Sequence, residues 1–136
     1  MEKSLEFQKK YSDFKAAKAW FSENVESKNY PPTLFKADGV CACKLNWEKE
    51  VGSVTTVTDY PNTDAPAKRS FYTITYTEKE LGLKVELKVT EYPNYPVVEY
   101  ESVLTNISDK NSPEITDLVA FDSILTDADK ITLHTY

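Results

Sequence analysis

Residues 83 to 92 read Leu-Lys-Val-Glu-Leu-Lys-Val-Thr-Glu-Tyr. In this run Val85, Leu87 and Val89 alternate with Lys84, Glu86, Lys88 and Thr90. A period of two puts the apolar set on one face of a β-strand and the charged set on the other. Such a strand needs a core on one side and water on the other. Two more strand-like runs flank it, one from Ser70 to Thr77 and one from Val97 to Asn106. The breaks between them, Glu78 to Gly82 and Pro93 to Pro96, are short, and strands joined so closely pair most readily as an antiparallel meander. The stretch from Ser70 to Asn106 is therefore expected to be the centre of a half-buried antiparallel sheet.

The rest of the chain is read around that centre. Residues 12 to 27 carry Phe14, Ala17, Phe21 and Val25 on one helical stripe, with Trp20 at its border. Ser12 or Asp13 can cap the start, and Pro31-Pro32 lies beyond the end. The helix is expected to pack across the edge of the sandwich. Residues 30 to 51 read as irregular structure with one or two short strands, and Asp38-Gly39 is a turn signal. Ser53 to Asp59 is rich in Val and Thr and reads as a strand. Residues 60 to 69 form a polar loop, residues 114 to 126 a long strand, and Ile131 to Tyr136 the start of a last one. The expectation is one domain over residues 1–136, mainly β: an antiparallel β-sandwich (supersandwich-like) with one N-terminal α-helix and strands from about residue 53 onward. A chain of 136 residues is long enough for its own core. Its last residues lie inside a strand pattern, which suggests a piece of a longer protein.

Composition narrows the partners. The net charge of -6 repels phosphate, so nucleic acid and anionic membrane surfaces are not expected. No apolar run reaches the length of a membrane span. Met1 to Phe7 lacks the apolar core of a signal peptide, so the expected location is cytoplasmic. Cys41 and Cys43 are spaced C-x-C. On a strand both thiols would share a face, awkwardly placed for a bridge, and they read as small buried or half-buried residues.

Motifs with chemical potential are few. His134 has neither a nucleophile nor an orienting partner nearby, and reads as a surface or interface residue. Glu99 and Glu101 would share a strand face, the arrangement of any solvated strand, with no apolar pocket to raise a carboxyl pKa. Asp127-Ala-Asp129 has two acids of a calcium loop but lacks its glycine and its distal glutamate, and reads as a turn. Asn106-Ile-Ser108 matches the glycosylation sequon. No catalytic residue, metal ligand or cofactor site is assigned. Tyr92 and Tyr95 flank the Pro93 to Pro96 loop, and exposed rings there, with Trp47, are candidates for carbohydrate or interface contacts.

The order of the segments resembles the N-terminal β-sandwich of the melibiase-type α-galactosidases, glycoside hydrolase family 36, and its uncharacterised relatives. The matching pieces are Pro32 to Gly39, Leu45-Asn-Trp47 to Glu50, Tyr72 to Thr77 with Leu81-Gly-Leu83, Tyr95 to Tyr100 with Leu104-Thr-Asn106, Ser112 to Asp122, and Leu133-His134. The likeness covers about residue 11 to the end. Cys41, Cys43 and the acid-bounded loop Asp59 to Asp64 depart from it. The resemblance implies a non-catalytic accessory domain. Its partner would be a downstream (β/α)8 catalytic domain, which would cleave α-galactosides by a retaining two-carboxylate mechanism, and subunit contacts in a homo-oligomer would also fall to it. A stand-alone carbohydrate-binding module and a protein-interaction sandwich are the alternatives.

Overall fold

The computed structural model describes residues 14–119. Within them the fold is mainly β, two packed antiparallel sheets with one N-terminal helix. Helix α1 is α-helical over 14–21 and continues as a π-helix, Ser22–Ser27. The strands are β1 (Leu34–Ala37), β2 (Val40–Cys41), β3 (Glu48–Val51), β4 (Thr55–Asp59), β5 (Ala67–Glu78), β6 (Leu83–Tyr92), β7 (Val97–Asn106) and β8 (Ile115–Val119).

The central meander follows the alternation in the sequence. β6 lies between β5 and β7, with Ile74 opposite Leu87, which is opposite Ser102. Leu83, Val85, Leu87 and Val89 are buried, while Lys84, Glu86, Lys88 and Thr90 face outward. β5 extends past its partners, so β3 and β4 lie end to end along its free edge. Between them the Gly52 N–H still donates to the Thr73 carbonyl at 2.9 Å. A Cβ at Gly52 would stand 3.1 Å from that oxygen, so the strand passes close to its neighbour there.

The second sheet has the order β2-β1-β8: β1 and β2 come from the stretch expected to be irregular with one or two short strands, and β8 falls in the strand expected over 114 to 126. The sheets thus begin at Leu34 rather than near residue 53, and three short strands precede β4. β3 reads Glu-Lys-Glu-Val, which has little strand propensity of its own, and pairing with β5 makes it a strand. Asp38 and Gly39 form the tight β1–β2 turn with φ of 48° and 79°, the left-handed pair that two-residue hairpins require. The Asp38 carboxylate accepts the Glu114 N–H at 2.8 Å, and the Asp38 N–H donates to the Glu114 carbonyl at 2.9 Å. These bonds clamp the turn to the start of β8. In β8 two residues, 117 and 118, stand opposite Phe35 alone, with Asp117 at φ 51°. This is a β-bulge, and it lies beside Leu118 and Val119, which are 60% and 42% exposed.

Both α1 and the small sheet cover the apolar face of the large sheet. Phe21 meets the Tyr72 ring at 4.9 Å, and Trp20 stacks on Tyr100 at 5.5 Å. Tyr72 and Tyr100 flank Val89 on that face, so the helix lies over the sheet rather than across its edge. The predicted stripe faces inward: Phe21 and Val25 are buried, and Phe14 and Ala17 half-buried. Residues 12 and 13, the expected cap, fall outside the described residues. So do the end of the long strand expected over 114 to 126, the Asp127 to Lys130 turn, the last strand and His134. Further along the face, the Thr33 and Ser102 hydroxyls are hydrogen-bonded at 2.6 Å and join the lead-in of β1 to β7.

Tyr76 is fully buried at the middle of the core, and among the described residues its hydroxyl has no hydrogen-bond partner. Burial pushes the Tyr76 pKa up to about 12. A buried hydroxyl without a partner carries an uncompensated desolvation cost of about 1 kcal/mol or more. Tyr76→Phe removes that cost while keeping the ring, so it should raise stability by about 1 kcal/mol. A urea unfolding curve tests this, and a lower midpoint for the variant would mean that the hydroxyl is bonded after all.

Candidate functional site

A cleft of ≈ 350 Å³ lies between α1 and the tip of the β6–β7 hairpin. The local sequence makes it. Pro93 and Pro96 bound a four-residue turn, closed by the Tyr95 N–H donating to the Tyr92 carbonyl at 2.9 Å. That turn carries the hairpin tip beyond the core, opposite the first turns of α1. Phe14, Ala17, Lys15 and Lys18 line the helix side, and Glu91, Tyr92, Tyr95 and Val97 are among the residues on the hairpin side.

The cleft combines apolar surface with charge at its margins. Tyr95 is 55% exposed, and Val97 beside it is also exposed. Tyr92 is half-buried. Burial pushes its phenol up from its ordinary value, reinforced by a side-chain hydrogen bond to Glu99. Glu91 accepts a hydrogen bond from the Tyr72 hydroxyl at 2.9 Å. Burial, helped by Glu91, raises the Tyr72 pKa to about 12, so that bond persists across the physiological range. Next to the hairpin, Arg69 grips Asp59 with two hydrogen bonds, 2.6 and 2.9 Å, which close the 60–66 loop against β5. This bidentate pair raises the Arg69 pKa further. The Asn94 side chain accepts the Lys68 N–H at 3.0 Å and ties that loop's exit to the hairpin tip. The cleft therefore has a braced wall.

Tyr92 and Tyr95 both border this cleft, but alternation along β6 turns the Tyr92 ring to the outer face, where it bonds Glu99, so Tyr95 is the candidate ring at the cleft. Trp47 does not border it. It is buried, its ring packs edge-on against Phe35 at 6.3 Å, and its indole N–H donates to the Ala42 carbonyl at 2.8 Å. Its place in the core follows from that bond, which satisfies the one polar atom of the ring, so it offers no surface contact. The helix half of the cleft, Phe14 with Lys15 and Lys18, was not singled out from sequence. The signal was present, because Phe14 heads the apolar stripe and the two lysines flank it at helical spacing.

The remaining candidates have ordinary surroundings. Glu99 and Glu101 are exposed on the outer face of β7, and Glu101 is directly opposite Lys88. Asn106 shapes a turn: its carbonyl accepts from the Ser108 N–H and hydroxyl at 3.0 and 2.8 Å, and its amide donates to the Lys110 carbonyl at 2.7 Å. Among the described residues there is no group of three His, Cys, Asp or Glu side chains that could hold a metal ion, and no helix long and apolar enough to cross a membrane.

Cys41 and Cys43 differ from the expectation. β2 ends at Cys41 and the chain enters a 3-10 turn, Ala42–Lys44. The turn replaces strand geometry and swings the two Sγ atoms to 2.7 Å from each other. Set against known families, curated proteins and solved structures, the chain matches no family model, and no protein or solved structure is significantly similar to it.

Proposed function

We propose that this chain is a non-catalytic β-sandwich module that contacts carbohydrate through the cleft between α1 and the β6–β7 hairpin. The observation that carries the reading is the exposed Tyr95 at the rim of a braced cleft with Lys15, Lys18 and Glu91 at its margin. Sugar rings present C–H faces that pack on aromatic rings and hydroxyl edges that bond to charged groups, and the cleft supplies both. The order of motifs adds the setting, an accessory domain of an α-galactosidase-like glycoside hydrolase.

Calorimetric titration with galactosides and plant oligosaccharides tests the reading. Tyr95→Ala should weaken binding about tenfold, the equivalent of one lost stacking contact, with an unchanged circular dichroism spectrum. No heat at millimolar ligand would overturn it.

β8 favours a second reading, in which the module works mainly as a docking surface for a catalytic barrel. Leu118 and Val119 are adjacent and exposed, an apolar edge that a neighbouring domain would cover. Leu118→Lys would then weaken association with that domain and leave sugar binding intact.

A further inference from the structure

We propose that Cys41 and Cys43 are a redox-active dithiol that closes to an intramolecular disulfide by exchange with small-molecule disulfides of the glutathione class. The geometry carries this. Both cysteines are free, Cys41 half-buried and Cys43 exposed, and their sulfurs are already 2.7 Å apart. Bond formation needs the sulfurs to close to about 2.0 Å, a small movement within one turn.

The residue between them explains why the thiols converge. Ala42 is fully buried in the core, and its carbonyl accepts both the Trp47 indole N–H at 2.8 Å and the Leu45 N–H at 3.2 Å. With Ala42 anchored inward, the side chains on either side are left at the surface, and the 3-10 turn brings them together. The electrostatics suit a nucleophile. The Cys41 thiol is pulled below its ordinary value, first by the hydrogen bond with Cys43 and then by the positive charges of Lys44 and Lys36, while Cys43 is pushed up by the same bond. An exposed, electropositive pair of unequal acidity is the setting in which one thiol attacks and the other resolves.

The chemistry balances. The Cys41 thiolate attacks one sulfur of the small disulfide, whose S–S bond breaks, and the first small thiol leaves. Cys43 loses its proton and attacks the Cys41 sulfur of the mixed disulfide, and the second small thiol leaves. The two cysteines together give up two electrons and two protons, and the small disulfide becomes two thiols.

The test uses the full chain and its Cys41→Ser and Cys43→Ser variants in a mixture of oxidised and reduced glutathione, with free thiols and intact mass followed over time. The wild type should lose both free thiols and two hydrogens in mass, form no disulfide between chains, and hold no glutathione. Cys43→Ser should stop at a stable glutathione adduct on Cys41. Persistence of a glutathione adduct on the wild type, a disulfide between two chains, or two free thiols under oxidised glutathione would each overturn the proposal. Because both thiols are solvent-accessible, serine leaves the fold intact, and circular dichroism verifies it.

Discussion

Replacing Lys49 by methionine should lower the stability of the domain by about 3 kcal/mol. Lys49 lies on β3 opposite Tyr76, on the face that meets the core. Its ammonium crosses to the end of α1 and donates to three carbonyls there, of Val25, Glu26 and Lys28, at 2.8, 2.8 and 2.9 Å. These are carbonyls that a helix end leaves without intrahelical donors, and the negative pole of the helix dipole lies on them. The ammonium also stands 5.9 Å from the centre of the Tyr76 ring. Burial pulls the Lys49 ammonium below its ordinary value, so the side chain carries a desolvation cost that the carbonyls offset. Methionine keeps most of the packing of the stem but leaves three carbonyls without a donor. Charge-assisted bonds contribute about 1.5–3 kcal/mol each when made alone. Three that share one partly desolvated group contribute less than their sum. Thermal and urea unfolding of Lys49→Met against the wild type measure the loss, and Lys49→Arg should recover part of it. A Lys49→Met protein as stable as the wild type would show that water serves those carbonyls equally well.

The same residue marks where the sequence was legible and where it was not. The meander was legible because β6 alternates without a break, and Leu83 to Val89 leave no second way to arrange a core face. Helix α1 was legible from the spacing of Phe14, Ala17, Phe21 and Val25. Its π-helical end was not, because the widened turn depends on tertiary partners. Lys49 holds the exit from a strand more than twenty residues away, in addition to the local bonds of the buried Asn24 side chain to the Trp20 carbonyl at 3.0 Å and from Lys28 at 2.9 Å. The pairing of the small sheet is not legible in the sequence for a similar reason. Its strands have two to five residues and exist by pairing and by the Asp38 clamp to Glu114, a contact between residues far apart in the chain. At the candidate site, Tyr92 and Tyr95 were legible as rings beside a proline-bounded turn. The helix wall opposite them was not, because nothing local says which part of the sheet a helix will cover. Trp47 misled because exposure cannot be read from residue type, and its indole had a private acceptor in Ala42. The thiols mislead because C-x-C reads as a strand segment, whereas β2 stops at the first cysteine.

Gly82→Ala should cost about 3 kcal/mol, and its two causes can be separated. Gly82 closes the β5–β6 turn with φ 65°, a left-handed conformation that alanine adopts at a cost of about 1 kcal/mol. Its carbonyl accepts the Ile107 N–H at 2.8 Å, which brings the turn after β7 against it. A Cβ on Gly82 would stand 2.5 Å from the Ser108 Cβ, closer than atoms tolerate, and 3.2 Å from the Ser108 backbone nitrogen. Neither side can yield freely. The Ser108 turn is pinned by the Asn106 side chain, and the Gly82 turn is held by the buried Glu78 carboxylate, which accepts the Leu81 N–H at 2.6 Å. The clash should therefore account for the larger part, about 2 kcal/mol. A double-mutant cycle with Ser108→Gly resolves the two. Removing the serine side chain makes room for the new methyl group, so Gly82→Ala should cost only about 1 kcal/mol in the Ser108→Gly background. If the cost were the same in both backgrounds, the backbone conformation alone would be responsible, and the two turns would not be packed as tightly as the structure places them.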